Sequence, residues 1–179
     1  NRMLAPRNLP MGVGTEEGRN MLKNWLWNHN GDTDFACGGI AGIGVASACA
    51  QGGIPRTDAN VAAGVVGQSY VRWWGTSVDH ALTIVGYDDR IEFDLDGNGK
   101  AGEKEKDEVG AWIIANSWGG WANNGLIYCP YAYGFPAHSV TKEGGKEVRK
   151  QSGGWWQPEL YYVRKNYRPP RTIKVKMDY

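Results

Sequence analysis

Ser77-Val78-Asp79-His80-Ala81-Leu82-Thr83-Ile84-Val85-Gly86-Tyr87 is a short apolar run with a polar head. From Ala81 to Tyr87 it is rich in β-branched residues and too short for an ordinary helix, so it reads as a strand buried on both faces. Gly110-Ala111-Trp112-Ile113-Ile114-Ala115-Asn116 has the same character, with its polar residue at the far end. A third strand, Gly125-Leu126-Ile127-Tyr128-Cys129, follows closely. Taken singly, a histidine at a strand's head is more often structural than catalytic, and an asparagine at a strand's end is usually a turn residue or cap. Paired strands, however, set the imidazole of His80 beside the carboxamide of Asn116.

Upstream, Met21, Leu22, Trp25, Leu26 and His29 recur at three- and four-residue spacings, which predicts a helix over 16–29 stopped by Asn30-Gly31. Gly38-Gly39-Ile40-Ala41-Gly42-Ile43-Gly44-Val45-Ala46 carries too many glycines for a helix and is expected to be a buried strand with close backbone approach. Loops are expected around Gly52-Gly53 and Pro55, over the acidic stretch 88–109, and over the polar, glycine-rich stretch 142–154. The class is α+β.

The chain has 179 residues, of which 41% are apolar, enough for one domain with a real core. Twenty basic against nineteen acidic side chains leave a net charge of +1, so no nucleic-acid footprint is expected. No apolar run is long enough for a membrane span. Cys37, Cys49 and Cys129 are too few for a disulfide framework, and their odd number leaves the redox compartment unread. The start at Asn1-Arg2-Met3 and the strand-like alternation of 172–179 read as a piece of something longer. Residues 1–168 are expected to form the domain, with 169–179 a linker or the first strand of another. Nine tryptophans are read as core and seam residues in preference to a sugar-stacking surface. His29 and His138 have no partner motif, and the basic cluster at Arg164-Lys165, Arg168 and Arg171 beside Pro169-Pro170 reads as a solvated linker.

A histidine beside an asparagine is what a thiol peptidase needs around its nucleophile. The imidazole takes the thiol proton and later gives it to the leaving amine. A neutral amide oxygen orients the ring without cancelling its charge. Trp118 stands two residues after Asn116, placed to shield that hydrogen bond from water.

The Asp79-His80-Ala81 and Asn116-Ser117-Trp118-Gly119 blocks resemble the histidine and asparagine motifs of the papain-like (C1-type) cysteine peptidases. The resemblance covers roughly residues 16–129 and is specific only at these two motifs. It implies the papain-like fold, here its β-rich, barrel-like half with one N-terminal helix, in a bacterial-type member. By it, His80 is the general base, Asn116 its orienting residue and Trp118 the shield, with Asp79 and Ala81 flanking a groove for a peptide or protein substrate.

In that family the nucleophile lies in a Cys-Gly-Ser/Ala-Cys-Trp/Tyr context, about 130–150 residues before the histidine and asparagine. No such segment occurs here. Cys37 precedes His80 by only 43 residues and is followed by glycines and a strand-like run, where a helix N-terminus is wanted. Cys49 has no aromatic neighbour, and Cys129 comes after both partners. The oxyanion-hole glutamine is not identifiable either. Two readings follow: a separate N-terminal chain supplies the cysteine, or the protein is a degenerate homologue with a binding role.

Between the two strands, Asp94-Leu95-Asp96-Gly97-Asn98-Gly99-Lys100 through Glu105 fits the twelve-position EF-hand loop. Asp94, Asp96 and Asn98 occupy positions 1, 3 and 5, Lys100 offers its carbonyl at 7, and Glu105 stands at 12. Hard oxygen donors suit Ca²⁺. Against this, Arg90-Ile91-Glu92-Phe93 reads as strand and no entering helix precedes the loop, so a charge-rich hairpin tip is the plainer alternative. A calcium loop in this peptidase class points to a secreted or periplasmic setting.

Overall fold

In the computed structural model, residues 3–9, 13–28, 37–75, 77–133, 138–143, 146–151 and 158–164 are described. In chain order the elements are β1 (Met3–Asn8), α1 (Glu16–Asn28), β2 (Cys37–Val45), β3 (Cys49–Gly53), α2 (Asp58–Ala63), β4 (Ser69–Trp74), β5 (His80–Glu92), β6 (Val109–Ala115), β7 (Leu126–Pro130), β8 (His138–Glu143), β9 (Lys146–Gln151) and β10 (Glu159–Arg164). Single 3-10 turns occupy Lys104–Lys106 and Tyr131–Tyr133.

Eight strands share one sheet in the order β1-β10-β2-β5-β6-β7-β4-β3, and β8 with β9 forms a separate hairpin. The sheet is mixed: β4 runs parallel to β7, and the other pairings are antiparallel. The architecture is therefore α+β, as expected.

β2 and β3 stand five positions apart in this order, yet only residues 46–48 join them. In a flat sheet that gap would be roughly 24 Å, at about 4.8 Å per strand. The chain from Val45 to Cys49 reaches at most about 14 Å. The sheet must therefore curl, bringing β3 and β4 back towards β2 like the staves of a barrel. The Gly75 N–H donates to the Ala48 carbonyl at 2.8 Å and ties the end of β4 to the β2–β3 connection.

The interior is aromatic and aliphatic. Trp25, Trp74, Trp112, Phe93, Ile84, Ile91, Ile114 and Ile127 are fully buried. Among the described residues three tryptophans thus fill core, and Trp27 is exposed on α1. The helix starts where Thr15 caps it, its Oγ1 accepting the Gly18 N–H at 3.1 Å. Glu16 and Glu17 then complement the positive end of the helix dipole. Leu22 and Trp25 form its buried stripe, and the Trp25 indole donates to the Ile40 carbonyl at 3.0 Å, fixing α1 on β2.

Several expectations are corrected. β5 runs on to Glu92, because Ile91 turns into the core beyond the acidic Asp88-Asp89 pair. Gly52-Gly53 belongs to β3, paired with Tyr70 and Ser69, instead of to a loop. The stretch expected as a loop over 142–154 contains β9 and the end of β8: a mostly polar sequence conceals a hairpin whose strands pair from His138↔Gln151 to Glu143↔Lys146. One N-terminal helix is also too few. The Thr57 side chain caps a second short helix, α2, and Gly64 ends it in the left-handed region at φ 70°. His29 and residues 169–179 lie outside the described residues. None of the described helices is long and apolar enough to cross a membrane.

Candidate active site

His80 opens β5, paired with Val45 of β2 on one side. On the other side β5 pairs with β6 in the register Thr83↔Ala115, so Asn116, the next residue, leaves β6 alongside the head of β5. The two expected partners meet there: His80 Nε2 lies 3.0 Å from Asn116 Oδ1. The backbone N–H of Trp118 also points to Oδ1, at 3.4 Å, so that oxygen is an acceptor from two sides. An acceptor at Nε2 places the ring proton there and leaves the Nδ1 lone pair available as a base.

The turn after Asn116 is held tightly. The Asn116 N–H donates to Gly125 O at 2.8 Å, the Gly125 N–H to Trp121 O at 2.7 Å, and the Trp121 N–H to Trp118 O at 3.0 Å. Gly125 has φ 87°, which a side chain would strain. The carboxamide of Asn123 clamps the turn to Ser69, accepting from its N–H at 2.7 Å and donating to its carbonyl at 2.9 Å. Trp118 is thereby set over the imidazole, stacked with centroids 4.6 Å apart and planes 23° from parallel. The indole is 49% exposed, so one of its faces covers the histidine and the other faces solvent.

Asp79 and Ala81 flank His80 in different ways. Asp79 Oδ1 accepts the Ser47 N–H at 2.6 Å, and Oδ2 accepts the Ser47 hydroxyl at 2.9 Å. These bonds, with a smaller contribution from the His80 charge, hold the Asp79 carboxyl below the usual carboxylate range. Asp79 is therefore an anchor for the head of β5. Ala81 is exposed and lines a surface hollow with Gly44 and Thr83.

No protein-family model, curated protein or solved structure matches this chain. The functional reading therefore rests on the geometry of its own residues.

That geometry contains no activated thiol among the described side chains. Cys129 is buried, and burial pushes its thiol far above the usual range. Burial also raises Cys49, against a weaker opposing bond to Gln51. A nucleophilic cysteine needs the reverse shift. The Cys37 side chain lies outside the described residues.

The loop between β5 and β6 gathers three carboxylates, Asp94, Asp96 and Glu108, with one oxygen of each within 4.8 Å of the others. Asp94 shapes the loop by accepting the N–H groups of Gly97 at 2.8 Å and Gly99 at 2.9 Å. Asn98 turns its carboxamide oxygen to the Lys100 N–H at 2.7 Å and its amide to Glu103 at 2.6 Å. Glu105, expected at the closing position, is exposed on the 3-10 turn and is not part of the group. Glu108 stands in its place. It is fully buried and accepts the Leu95 N–H at 2.8 Å and the Glu103 N–H at 3.3 Å. Lys106 lays its ammonium between Asp96 Oδ2 at 2.6 Å and Glu103 Oε2 at 2.7 Å, and these contacts raise its own pKa. Asp94, Asp96 and Glu108 could together offer oxygen donors to a hard cation, and Glu105 lies outside that group.

Sequence reading missed three functional neighbours. Ser47 sits in an unremarkable Ala-Ser-Ala context, and Asn123 looks like any turn residue. Glu108 had a usable signal, a carboxylate directly before a fully apolar strand.

Proposed function

We propose that this chain is the histidine-and-asparagine half of a papain-like cysteine peptidase, acting in peptide-bond hydrolysis with a cysteine supplied by another segment. One observation carries the reading: the 3.0 Å contact between His80 Nε2 and Asn116 Oδ1 beneath the stacked Trp118. It fixes the proton on Nε2, points the carboxamide as an orienting acceptor and leaves Nδ1 to meet a thiol. The thiol proton passes to Nδ1, and the thiolate attacks the substrate carbonyl. The imidazolium then protonates the leaving amine, and water cleaves the resulting thioester. The curled sheet supports the barrel-like half of that fold.

The raised thiols of Cys49 and Cys129 favour a nucleophile outside these residues, or the second reading, a homologue that binds peptides without cleaving them. Treating native material with a thiol-directed epoxide probe and measuring intact masses separates the two. Labelling of a companion segment, lost in His80→Ala, supports the peptidase. An unlabelled preparation without a companion sinks it and leaves the binding role.

We further propose that Asp94, Asp96 and Glu108 hold Ca²⁺, which would stiffen the β5–β6 loop. This suits a secreted or periplasmic setting, where millimolar calcium is available. Calorimetry should find one site that Asp94→Ala and Asp96→Ala abolish. Unchanged binding in both variants removes this loop from consideration.

A further inference from the structure

The ladder between β5 and β6 begins at Thr83↔Ala115, so it stops short of the two residues that meet at the site. His80 lies before that first pair and Asn116 directly after it. Their 3.0 Å contact is therefore not set by β5–β6 pairing alone. His80 is mounted on β2 through Val45, and through the bonds of its neighbour Asp79 to Ser47. Asn116 is mounted on the turn that follows it, through Gly125 and Trp121.

β4 joins the two mounts. At its first residue the Ser69 N–H donates to Asn123 Oδ1 at 2.7 Å, and the Ser69 carbonyl accepts from Asn123 Nδ2 at 2.9 Å. Just past its last residue the Gly75 N–H donates to the carbonyl of Ala48, the neighbour of Ser47. Between these points Tyr70, Val71 and Trp74 are buried, and the Tyr70 ring packs on Phe93 with centroids 4.9 Å apart. The bonds close a ring that runs from His80 through Ser47, β4 and Asn123 to Asn116.

The Asn123 link carries strain. Ala122 and Asn124, on either side of it, have positive φ of 48° and 56°. Such backbone persists only where its surroundings hold it. Registered pairing of β4 with β7 is confined to Tyr70↔Tyr128, and the Asn123 carboxamide takes up the two backbone groups of the neighbouring residue. Residues 117–120 are exposed, and a side chain added at Gly119 or Gly120 would meet open space. That stretch takes its place from the turn beyond it.

We propose that Asn123 is a positioning residue of the site: it braces the turn on β4 and so fixes where Asn116 and Trp118 meet the His80 ring. What the ring then does rests on the peptidase reading. With the carboxamide gone, both Ser69 bonds are lost and the strained turn relaxes. Asn116 Oδ1 then drifts from Nε2, and the indole slides off the imidazole.

NMR of the His80 ring in the native chain, in Asn123→Ala and in Asn60→Ala tests the brace. Asn60 is buried and binds Glu92, at the opposite end of β5 from His80, so its variant controls for lost stability. In Asn123→Ala the His80 ring protons should lose the ring-current shift that the stacked indole gives them. The ring nitrogens should move towards a mixture of tautomers. Asn60→Ala should leave both as they are. Unchanged His80 signals in Asn123→Ala, or the same change in Asn60→Ala, overturn the proposal. The native chain gives a second reading that needs no variant. Its Ser69, Asn116 and Gly125 amides should exchange with water at a common protection, as one unit opening together. Protection of Ser69 that differs from the other two by about tenfold or more overturns the brace. The thiol-probe experiment reads the peptidase role separately. A companion labelled equally fast with Asn123→Ala and with the native chain overturns the brace alone. The His80 changes without any labelling keep the brace and overturn its place in a peptidase.

Discussion

Asp79 and Ser47 are joined by two hydrogen bonds across the β2–β3 connection, and the Asp79 N–H adds a third to Val45 O at 3.1 Å. The residue before the candidate base is thus fastened at both its backbone and its carboxylate. The head of β5 cannot fray without breaking them.

This fastening is pH-dependent. The folded carboxyl titrates below its ordinary value, chiefly because the Ser47 N–H and hydroxyl stabilise the anion. Its contribution is therefore complete above the unfolded value of about 3.9 and is lost as pH falls through the lower folded value. Asp79→Asn should lower the melting temperature at pH 7 and narrow its gap to the native chain as the pH is taken below the unfolded value of about 3.9. Melting curves across pH 2–7 check this; a gap that does not shrink in acid refutes it.

His80 in its neutral form should carry its proton on Nε2. Nitrogen-15 shifts of the two ring nitrogens report this directly, with Nδ1 appearing unprotonated. Asn116→Ala should shift the ring towards a mixture of tautomers. Trp118→Ala should keep the tautomer but speed exchange of the Nε2 proton with water, because the covering indole is gone. On the proposed peptidase function, His80→Ala should lower kcat/KM of the completed site by about 10²–10⁴-fold, the usual contribution of a positioned acid-base group.

Lys106 competes with any cation at the loop, because its ammonium already bridges Asp96 and Glu103. Lys106→Gln should therefore tighten Ca²⁺ binding several-fold. Calorimetry on the two chains measures it, and weaker binding in the variant would mean that the lysine organises the site instead of contesting it.

Asn60 offers a stability test away from the site. It is fully buried on α2, donates to Pro55 O at 2.9 Å and Glu92 O at 2.8 Å, and accepts the Glu92 N–H at 2.9 Å. Asn60→Ala strands three backbone groups and should cost about 2–4 kcal/mol. Urea unfolding should show this as a lower midpoint with an unchanged slope.

The strands around His80 and Asn116 were legible because their apolar runs are continuous and their polar ends abrupt. α1 was legible from its 3.6-residue stripe. β8 and β9 were not, since Ser139-Val140-Thr141 and Glu147-Val148-Arg149 offer one apolar residue each, too few for an alternating pattern. Position counting along the acidic loop points to Glu105 because it assumes EF-hand backbone geometry. Here Lys104–Lys106 forms a 3-10 turn and Asp107 follows in the left-handed region at φ 55°. That turns Glu105 outward and carries Glu108 into the group. The curl of the sheet was also invisible, because it depends on strand order, which no single segment encodes.

β5 is a 13-residue strand with the imidazole at its first position and the acidic loop beyond its last. At about 3.3 Å per residue its ends are roughly 40 Å apart. Its pairing with β6 slips twice on the way, between Ile84 and Gly86 and between Asp88 and Glu92. The acidic loop is thus remote from the His80 end, and grafting a different connection there, even a fluorescent reporter module, should leave the His80–Asn116 spacing intact.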